Sequence, residues 1–159
     1  MCIRDRPWSQ LDEGYETLIK LQEKGKIKHF GVSNFSNEQL TRISKYKTPL
    51  SLQSSFSLLN NKNESLEFCK KNNISFLAYS PLYSGLLTSK FSKEWSSSLS
   101  KNDWRLGKRS KEKMKFIYEP FLNHFLELHL LLVKMAKDHG RTISELAIAW
   151  VLSLSLIHI

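Results

Sequence analysis

Cysteine is scarce in this sequence, and long hydrophobic runs are missing from it. Cys2 and Cys69 are the only two cysteines among 159 residues, so we expect neither a disulfide framework nor a zinc site. No stretch of about 18 uninterrupted apolar residues occurs, and the first residues lack the apolar segment of a secretory signal. These absences argue against a membrane protein, and we expect a soluble, cytoplasmic one.

Acidic residues are outnumbered by basic ones, 15 to 24, which gives a formal net charge of +9. Clustered Lys and Arg would indicate phosphate contacts with a nucleic acid. Here the clusters are short and scattered, and the densest one, at 108–115, has no run of aromatic residues beside it. We therefore expect a Lys-rich solvated surface and no nucleic-acid partner, although the positive charge also suits an anionic dinucleotide.

The two ends of the chain can be encoded by opposite strands of one short DNA. Residues 1–6 can be written as ATG TGT ATA AGA GAC AGN, and the reverse complement of the first seventeen of these bases encodes Leu-Ser-Leu-Ile-His and then a codon beginning with AT. Residues 154–159 have the matching sequence, LSLIHI. We expect both ends to be a translated sequencing tag, and native sequence to run over 7–153.

Short apolar strands alternate with amphipathic helices along the native part. Apolar residues at helical spacing predict a helix over 11–23, and Ser36 with Gln39 forms a capping box for a helix through about residue 45. A third helix is predicted over 63–71, and strands over 27–32, 50–54 and 74–78. The last is almost unbroken in its apolar character, which predicts burial on both faces. This alternation is typical of parallel α/β folds, whether a barrel or an open sheet.

A long polar segment separates these units from two further helices. Residues 83–119 are rich in Ser and Lys and too long for a simple connector, so we expect a loop near the active site. A helix is predicted over 120–138, and Thr142 with Glu145 forms a capping box for a final helix. The apolar face expected for the 120–138 helix consists of Leu122, Phe125, Leu126, Leu130, Val133, Met135 and Ala136.

Ligands of parallel α/β proteins gather at the carboxyl ends of the strands, so the residues there are the site candidates. Asn34 follows the first strand, Gln53 lies in the second, and Tyr79 follows the third. Amide side chains can pair with another amide, and a Tyr ring can stack on an aromatic ring. Each also has a simpler interpretation, because Asn is common in turns, Gln is usually solvated and Tyr is often a core residue.

In their order and spacing these residues closely resemble the aldo-keto reductase family over nearly all of 7–153. The matching motifs are GKI at 25–27, GVSNF at 31–35, Gln53, AYSPL at 78–82, GLLT at 85–88 with Lys90, DWR at 103–105, GRT at 140–142 and AIAWVL at 147–152. The resemblance implies a TIM barrel, the (β/α)₈ fold, that binds NADP(H) and reduces small-molecule aldehydes or ketones. The chain would then be the C-terminal half of that barrel, with strands five to seven.

The resemblance also implies roles for individual residues. Ser33, Asn34 and Gln53 would hold the nicotinamide carboxamide, and Tyr79 would stack on the nicotinamide ring. A loop over the pyrophosphate would contain Ser80, Pro81, Leu82 and Gly85. Lys90 would contact a phosphate, although Ser89 stands where the family usually has Gly, and a solvated Lys is the alternative.

No residue of this chain is expected to be catalytic. In the family, the proton-donating Tyr and its Lys, Asp and His partners lie on earlier strands, before Pro7. The histidines at 29, 124, 129 and 139 are expected to be surface or packing residues. We therefore expect an inactive fragment of an NADP-dependent oxidoreductase that aggregates or dimerises by itself. A nucleotide-binding regulatory subunit similar to potassium-channel β-subunits, or another phosphate-binding TIM barrel, remains an alternative.

Overall fold

The computed structural model describes residues 2–4, 10–62, 64–112, 114–154 and 157–158. The chain divides into two compact units, Met1–Pro81 with Trp150–Ile159, and Leu82–Ala149. In chain order the helices and strands are β1 (Cys2–Arg4), α1 (Leu11–Glu23), β2 (Gly31–Ser33), α2 (Asn37–Ser44), β3 (Ser51–Ser55), α3 (Glu64–Lys71), β4 (Ser75–Tyr79), α4 (Lys93–Ser97), α5 (Phe121–Asp138), α6 (Ile143–Ser153) and β5 (Ile157–His158). No helix among the described residues is both long and apolar enough to cross a bilayer.

The five strands described in the first unit are parallel, and they lie side by side in chain order, β1-β2-β3-β4-β5. An open doubly wound sheet reverses its strand order at a switch point, whereas a barrel adds each strand next to the previous one. The sequential order therefore resolves the choice that periodicity left open, and the fold is part of a TIM barrel.

The two outermost strands lie in the segments that we expect to be tags. β1 pairs with β2, and β5 pairs with β4, over two or three residues each. Backbone N–H and C=O groups make these pairs, and every non-proline residue has both groups. The pairing therefore does not distinguish native from foreign sequence, and the tags stay a prediction.

The core of the first unit lies between the sheet and its helices. Val32, Leu52 and Phe76 are register partners on β2, β3 and β4, and all three are fully buried. On α1, Leu11, Tyr15 and Leu18 are buried at helical spacing, and the Tyr15 ring packs edge-on against Phe30 with centroids 5.3 Å apart. A layer of helices thus covers one face of the sheet, as an outer barrel wall does.

Two predictions about the strands were wrong. The first strand was expected over 27–32 but covers only Gly31–Ser33. Before it, the carbonyl oxygen of Lys28 accepts from the side chain of Gln22 at 2.6 Å, which is a contact with α1 and not with a neighbouring strand. β4 was expected to be buried on both faces. Its burial alternates instead, with Phe76 and Ala78 buried and the opposite face, which includes Leu77, only half-buried.

Both predicted capping boxes are present. Ser36 Oγ accepts from the backbone N–H of Gln39, whose side chain accepts from the backbone N–H of Ser36. Thr142 and Glu145 make the same reciprocal pair at α6. Each box satisfies two N–H groups that the first helical turn leaves without partners, which fixes where the helix begins.

In the second unit, the polar segment 83–119 contains α4 and four short 3₁₀ turns. The apolar face expected for α5 is partly wrong, because Leu130 is 68% exposed and Met135 46% exposed. The residues buried on this helix are Leu122, Phe125, His129 and Ala136. Apolar residues occur on several sides of α5. The sequence alone therefore did not show which of these sides would pack against other residues.

Candidate functional site

The carboxyl ends of β2, β3 and β4 bring three of the predicted site residues together. The backbone N–H of Asn34 donates to the carbonyl oxygen of Gln53 at 2.9 Å. The hydroxyl of Tyr79 donates to Oδ1 of Asn34 at 3.0 Å. Asn34, which follows β2, therefore contacts residues of both β3 and β4, and its side chain is exposed.

Strand register places the site residues on one face of the sheet. Successive side chains of a strand point to opposite faces, and Val32, Leu52 and Phe76 point into the helix-covered core. One residue further along, the register partners Ser33, Gln53 and Leu77 must point the other way. Tyr79 lies two residues beyond Leu77 and so shares that face, which in a complete barrel is the inner one.

Ser33 has an unusual environment for a hydroxyl. The residue is 1% exposed, and its Oγ has no hydrogen-bond partner within the described chain. A buried polar atom without a partner costs free energy, so native proteins keep few of them and many belong to binding sites. Ser33 can therefore offer both a donor and an acceptor to a ligand at the end of β2.

The residues that directly follow β2 and β4 have a left-handed backbone conformation. Asn34 has φ of 58° after β2, and Ser80 has φ of 58° after β4. Asn visits this region more easily than most residues, whereas for Ser it costs about 1 kcal/mol. Such conformations are kept where the surrounding structure fixes them, often in functional sites.

Gln53 also lines a cleft of about 430 Å³ on the same unit. The cleft extends toward the beginnings of the strands, where His29 and Phe30 form part of its wall. Its lining includes Ser51 and Leu77, the side chains that precede and flank Gln53 on the inner face. Gln53, which is half-buried, therefore lies at the boundary between this cleft and the strand ends.

The remaining predicted site residues follow β4. Ser80 and Pro81, which belong to the first unit, are half-buried. In the second unit, Leu82 is half-buried and the carbonyl oxygen of Leu82 accepts from the backbone N–H of Gly85 at 3.1 Å. Lys90 is exposed, as its alternative interpretation expects. The cofactor contacts assigned to these residues stay predictions.

Sequence reasoning missed how the turn Tyr83–Gly85 is held within the second unit. Tyr83, Ser84 and Gly85 all have positive φ. Arg105 donates to the carbonyl oxygen of Ser84 at 3.3 Å, and its guanidinium lies over the Trp95 ring, 4.7 Å from the centroid. The DWR motif was the available signal, but a motif does not show which backbone group its Arg contacts.

A paired acid holds Arg105 in place. The carboxylate of Asp103 accepts from Nε and Nη2 of Arg105 at 2.9 and 2.6 Å. Because these charged hydrogen bonds favour the ionised carboxyl, they lower the pKa of Asp103 to about 2. The pair therefore stays ionised at neutral pH, and the guanidinium keeps its fixed orientation over Trp95.

The histidines are placed as packing or surface residues. His129 is 5% exposed, its ring packs against those of Phe91 and Phe125, and Nε2 lies 3.0 Å from the carbonyl oxygen of Thr88. The other three, His29, His124 and His139, are exposed. Among the described residues, no group of three or more His, Cys, Asp and Glu side chains could hold a metal ion.

Comparison with known proteins identifies the relatives of this chain. The model of the Aldo/keto reductase family matches residues 2–157. The chain is 37% identical over 144 residues to the chloroplastic pyridoxal reductase of Arabidopsis thaliana, covering 86% of this chain and 36% of that protein. It is 30% identical to aldo-keto reductase YhdN of Bacillus subtilis, covering 92% and 43%.

A solved structure agrees with these sequence relatives. Glycerol dehydrogenase AKR11B4 from Gluconobacter oxydans superposes on 98% of this chain with a TM-score of 0.86 at 29% identity, and the match covers 46% of that protein. The chain thus spans less than half the length of the relatives that it matches. Because the family model covers almost the whole sequence and the fold agrees, the chain belongs to the aldo/keto reductase family.

Proposed function

We propose that this chain is the part of an NADP(H)-dependent oxidoreductase that holds the cofactor, in a protein that reduces aldehydes or ketones to alcohols. One observation carries the proposal. Asn34, Gln53 and Tyr79 meet on one side of three neighbouring strands, next to a buried hydroxyl of Ser33 that has no partner within the described chain.

The residues present fit a nicotinamide. Its carboxamide offers one oxygen acceptor and two N–H donors, and the side chains of Ser33, Asn34 and Gln53 offer complementary groups. The hydroxyl of Ser33 would gain the partner that it lacks, which converts an unfavourable burial into a favourable contact. The half-buried Tyr79 ring could cover one face of the pyridine ring.

These side chains would fix how the ring is oriented rather than perform its chemistry. A bound nicotinamide cofactor supplies or accepts the hydride. Hydrogen bonds to the carboxamide prevent rotation of the ring, and a covering aromatic ring leaves one face open to substrate. Ser80, Pro81, Leu82, Gly85 and Lys90 are proposed to contact the phosphates, which favours an anionic dinucleotide over free nicotinamide.

Carbonyl reduction also needs a proton donor at the substrate oxygen. We propose that this group lies outside the present chain, since the chain spans less than half the length of its relatives and the buried His129 packs against the rings of Phe91 and Phe125. The 159 residues alone should then bind the cofactor without turning over substrate. Substrates are proposed to be small carbonyl compounds.

Replacing Ser33 by Ala tests the proposal against a matched control. Ser44 on α2 also has a buried Oγ without a partner in the described chain, but it lies outside the site. Neither S33A nor S44A should lower the urea midpoint, because neither removes a hydrogen bond of the folded chain. Only S33A should weaken NADP+ binding, by about fivefold for one lost hydrogen bond.

Isothermal titration calorimetry with NADP+ measures both affinities. If S33A and S44A bind NADP+ with equal affinity, Ser33 does not contact the cofactor. Absence of saturable NADP+ binding by the unmodified chain, with its fold verified by circular dichroism, would refute the proposed function itself.

A further inference from the structure

His129 connects α5 to segment 85–90, which contains Gly85 and Lys90, two of the residues proposed to contact the phosphates. We infer that His129 is a positioning residue: through its hydrogen bond to Thr88, it holds this segment in the shape in which the phosphates bind. The inference rests on the proposed function and adds to it a residue that acts through another. All of these residues lie in the second unit.

The contact with Thr88 determines which nitrogen of the imidazole carries a hydrogen. Nε2 of His129 lies 3.0 Å from the carbonyl oxygen of Thr88, across 41 residues of sequence. A carbonyl oxygen can only accept a hydrogen bond, so Nε2 carries the hydrogen and donates it. The contact is therefore a hydrogen bond from a helix to a loop, in addition to the packing of the ring.

The surroundings of His129 keep this hydrogen bond away from water. The residue is 5% exposed, and its ring centroid lies 5.2 Å from that of Phe91 and 6.1 Å from that of Phe125. Neither phenyl ring has an oxygen or nitrogen that competes for the hydrogen of Nε2. In such apolar surroundings a hydrogen bond is stronger than in water. The two rings and the carbonyl oxygen of Thr88 together fix the orientation of the imidazole.

Thr88 transmits this restraint in both directions along the segment. Its hydroxyl donates to the carbonyl oxygen of Gly85 at 2.7 Å. Its own carbonyl oxygen also accepts from the backbone N–H of Phe91 at 3.2 Å, which closes a turn around Lys90. A fixed Thr88 therefore restrains Gly85 on one side and the backbone that carries Lys90 on the other.

Packing alone does not determine the course of the whole segment. Leu86 and Leu87 are fully buried and anchor its middle, whereas Ser89 and Lys90 are exposed. Because exposed side chains contribute little packing, the hydrogen bonds at Thr88 have to direct the backbone at this end. A loop that must be ordered on binding costs affinity, so a loop held in advance binds an anion more tightly.

Two replacements of His129 separate the hydrogen bond from the packing. H129F keeps an aromatic ring and removes the donor, whereas H129Q places an amide N–H near the position of Nε2. We expect H129F to weaken binding of NADP+ and of 2′-phospho-ADP-ribose about fivefold, because both ligands carry the pyrophosphate. H129Q should bind both more tightly than H129F does. Equal losses in H129F and H129Q would overturn the inference, since only the shape of the ring would then matter.

H124F is the matched control for H129F. His124 also lies on α5, and its Nδ1 lies 3.1 Å from a backbone carbonyl oxygen, but this oxygen belongs to Pro120 at the start of the same helix. The side chain is exposed and has no described contact with segment 85–90. H124F should therefore change neither affinity, as isothermal titration calorimetry can measure.

A measurement without ligand tests the hydrogen bond by itself. In ¹H–¹⁵N spectra of the ligand-free chain, the His129 ring should carry hydrogen on Nε2. The backbone amide of Ser89, which shares a peptide group with the carbonyl oxygen of Thr88, should shift in H129F and not in H124F. A His129 ring with hydrogen on Nδ1 alone, or an unchanged Ser89 amide in H129F, would overturn the inference whatever the chain binds.

The outcomes distinguish the inference from the proposed function. If the unmodified chain binds NADP+ and H129F binds it equally well, the positioning role is wrong and the proposed function stands. A loss in H129F for NADP+ but not for 2′-phospho-ADP-ribose would also overturn the inference, since His129 would then act on the nicotinamide end. If the unmodified chain binds neither ligand, the proposed function is refuted, and the ligand part of the inference with it.

Discussion

Gly31 is the position where one added methyl group should damage both the sheet and the site. A Cβ built on Gly31 would lie 2.3 Å from Oγ of Ser51 and 2.8 Å from its carbonyl oxygen, across the pair β2–β3. The side chain of Ser51 can rotate away, but the carbonyl oxygen belongs to the sheet backbone. The Gly31→Ala chain must therefore move one strand away from the other.

The size of that movement follows from the contact distance. Restoring an ordinary separation of 3.4 Å to the carbonyl oxygen needs about 0.6 Å. The neighbouring hydrogen bonds, Leu50 N–H to Phe30 O at 3.1 Å and Asn34 N–H to Gln53 O at 2.9 Å, would lengthen to the limit of hydrogen bonding. Overpacking and weakened ladder bonds together should lower the free energy of unfolding by about 3 kcal/mol.

Urea unfolding of the chain, followed by tryptophan fluorescence, measures this loss. The matched control is Gly25→Ala, where a Cβ meets nothing within 4 Å but the backbone has φ of 66°. That variant should lose only about 1 kcal/mol, the cost of a left-handed Ala. If Gly31→Ala loses no more than Gly25→Ala, the close approach of β2 and β3 is not as described and the geometry of the site is wrong.

Two further changes test local parts of the account. Ser36→Ala removes one half of the capping box of α2 and should lower the free energy of unfolding by about 1 kcal/mol, measured by the same urea titration. Arg105→Gln should return the pKa of Asp103 from about 2 toward its ordinary 3.8 in a carboxyl ¹³C titration. Because the folded pKa is the lowered one, the pair stabilises the fold above about pH 4 and loses this contribution as the pH falls toward 2. An unchanged Asp103 pKa in Arg105→Gln would show that Arg105 does not hold this carboxylate.

The sequence predicted those parts of the fold that local chemistry determines. α1 begins and ends where apolar spacing placed it, and both capping boxes formed, because each depends on residues three positions apart. The strand predicted over 27–32 covers only Gly31–Ser33, and the contact that residue 28 makes instead, with the side chain of Gln22 on α1, has no signal in the sequence. Likewise, the exposed Leu130 depends on what packs against α5 and not on its own composition.

The candidate site shows the same limit. Family resemblance placed Asn34, Gln53 and Tyr79 at neighbouring strand ends, and the structure joins them by hydrogen bonds. The orientation of the Asn34 amide and the unpartnered hydroxyl of Ser33 were not predictable, because each depends on atoms that folding brings together from distant positions. Such contacts are set by backbone conformation at strand ends, which residue types do not specify.

Intermolecular nuclear Overhauser effects between NADP+ and the isotope-labelled chain test the central claim most directly. The account predicts effects from the nicotinamide ring protons to the Tyr79 ring, and from the carboxamide protons to the side-chain amides of Asn34 and Gln53. Saturable binding in which the nicotinamide contacts none of these three residues would contradict it.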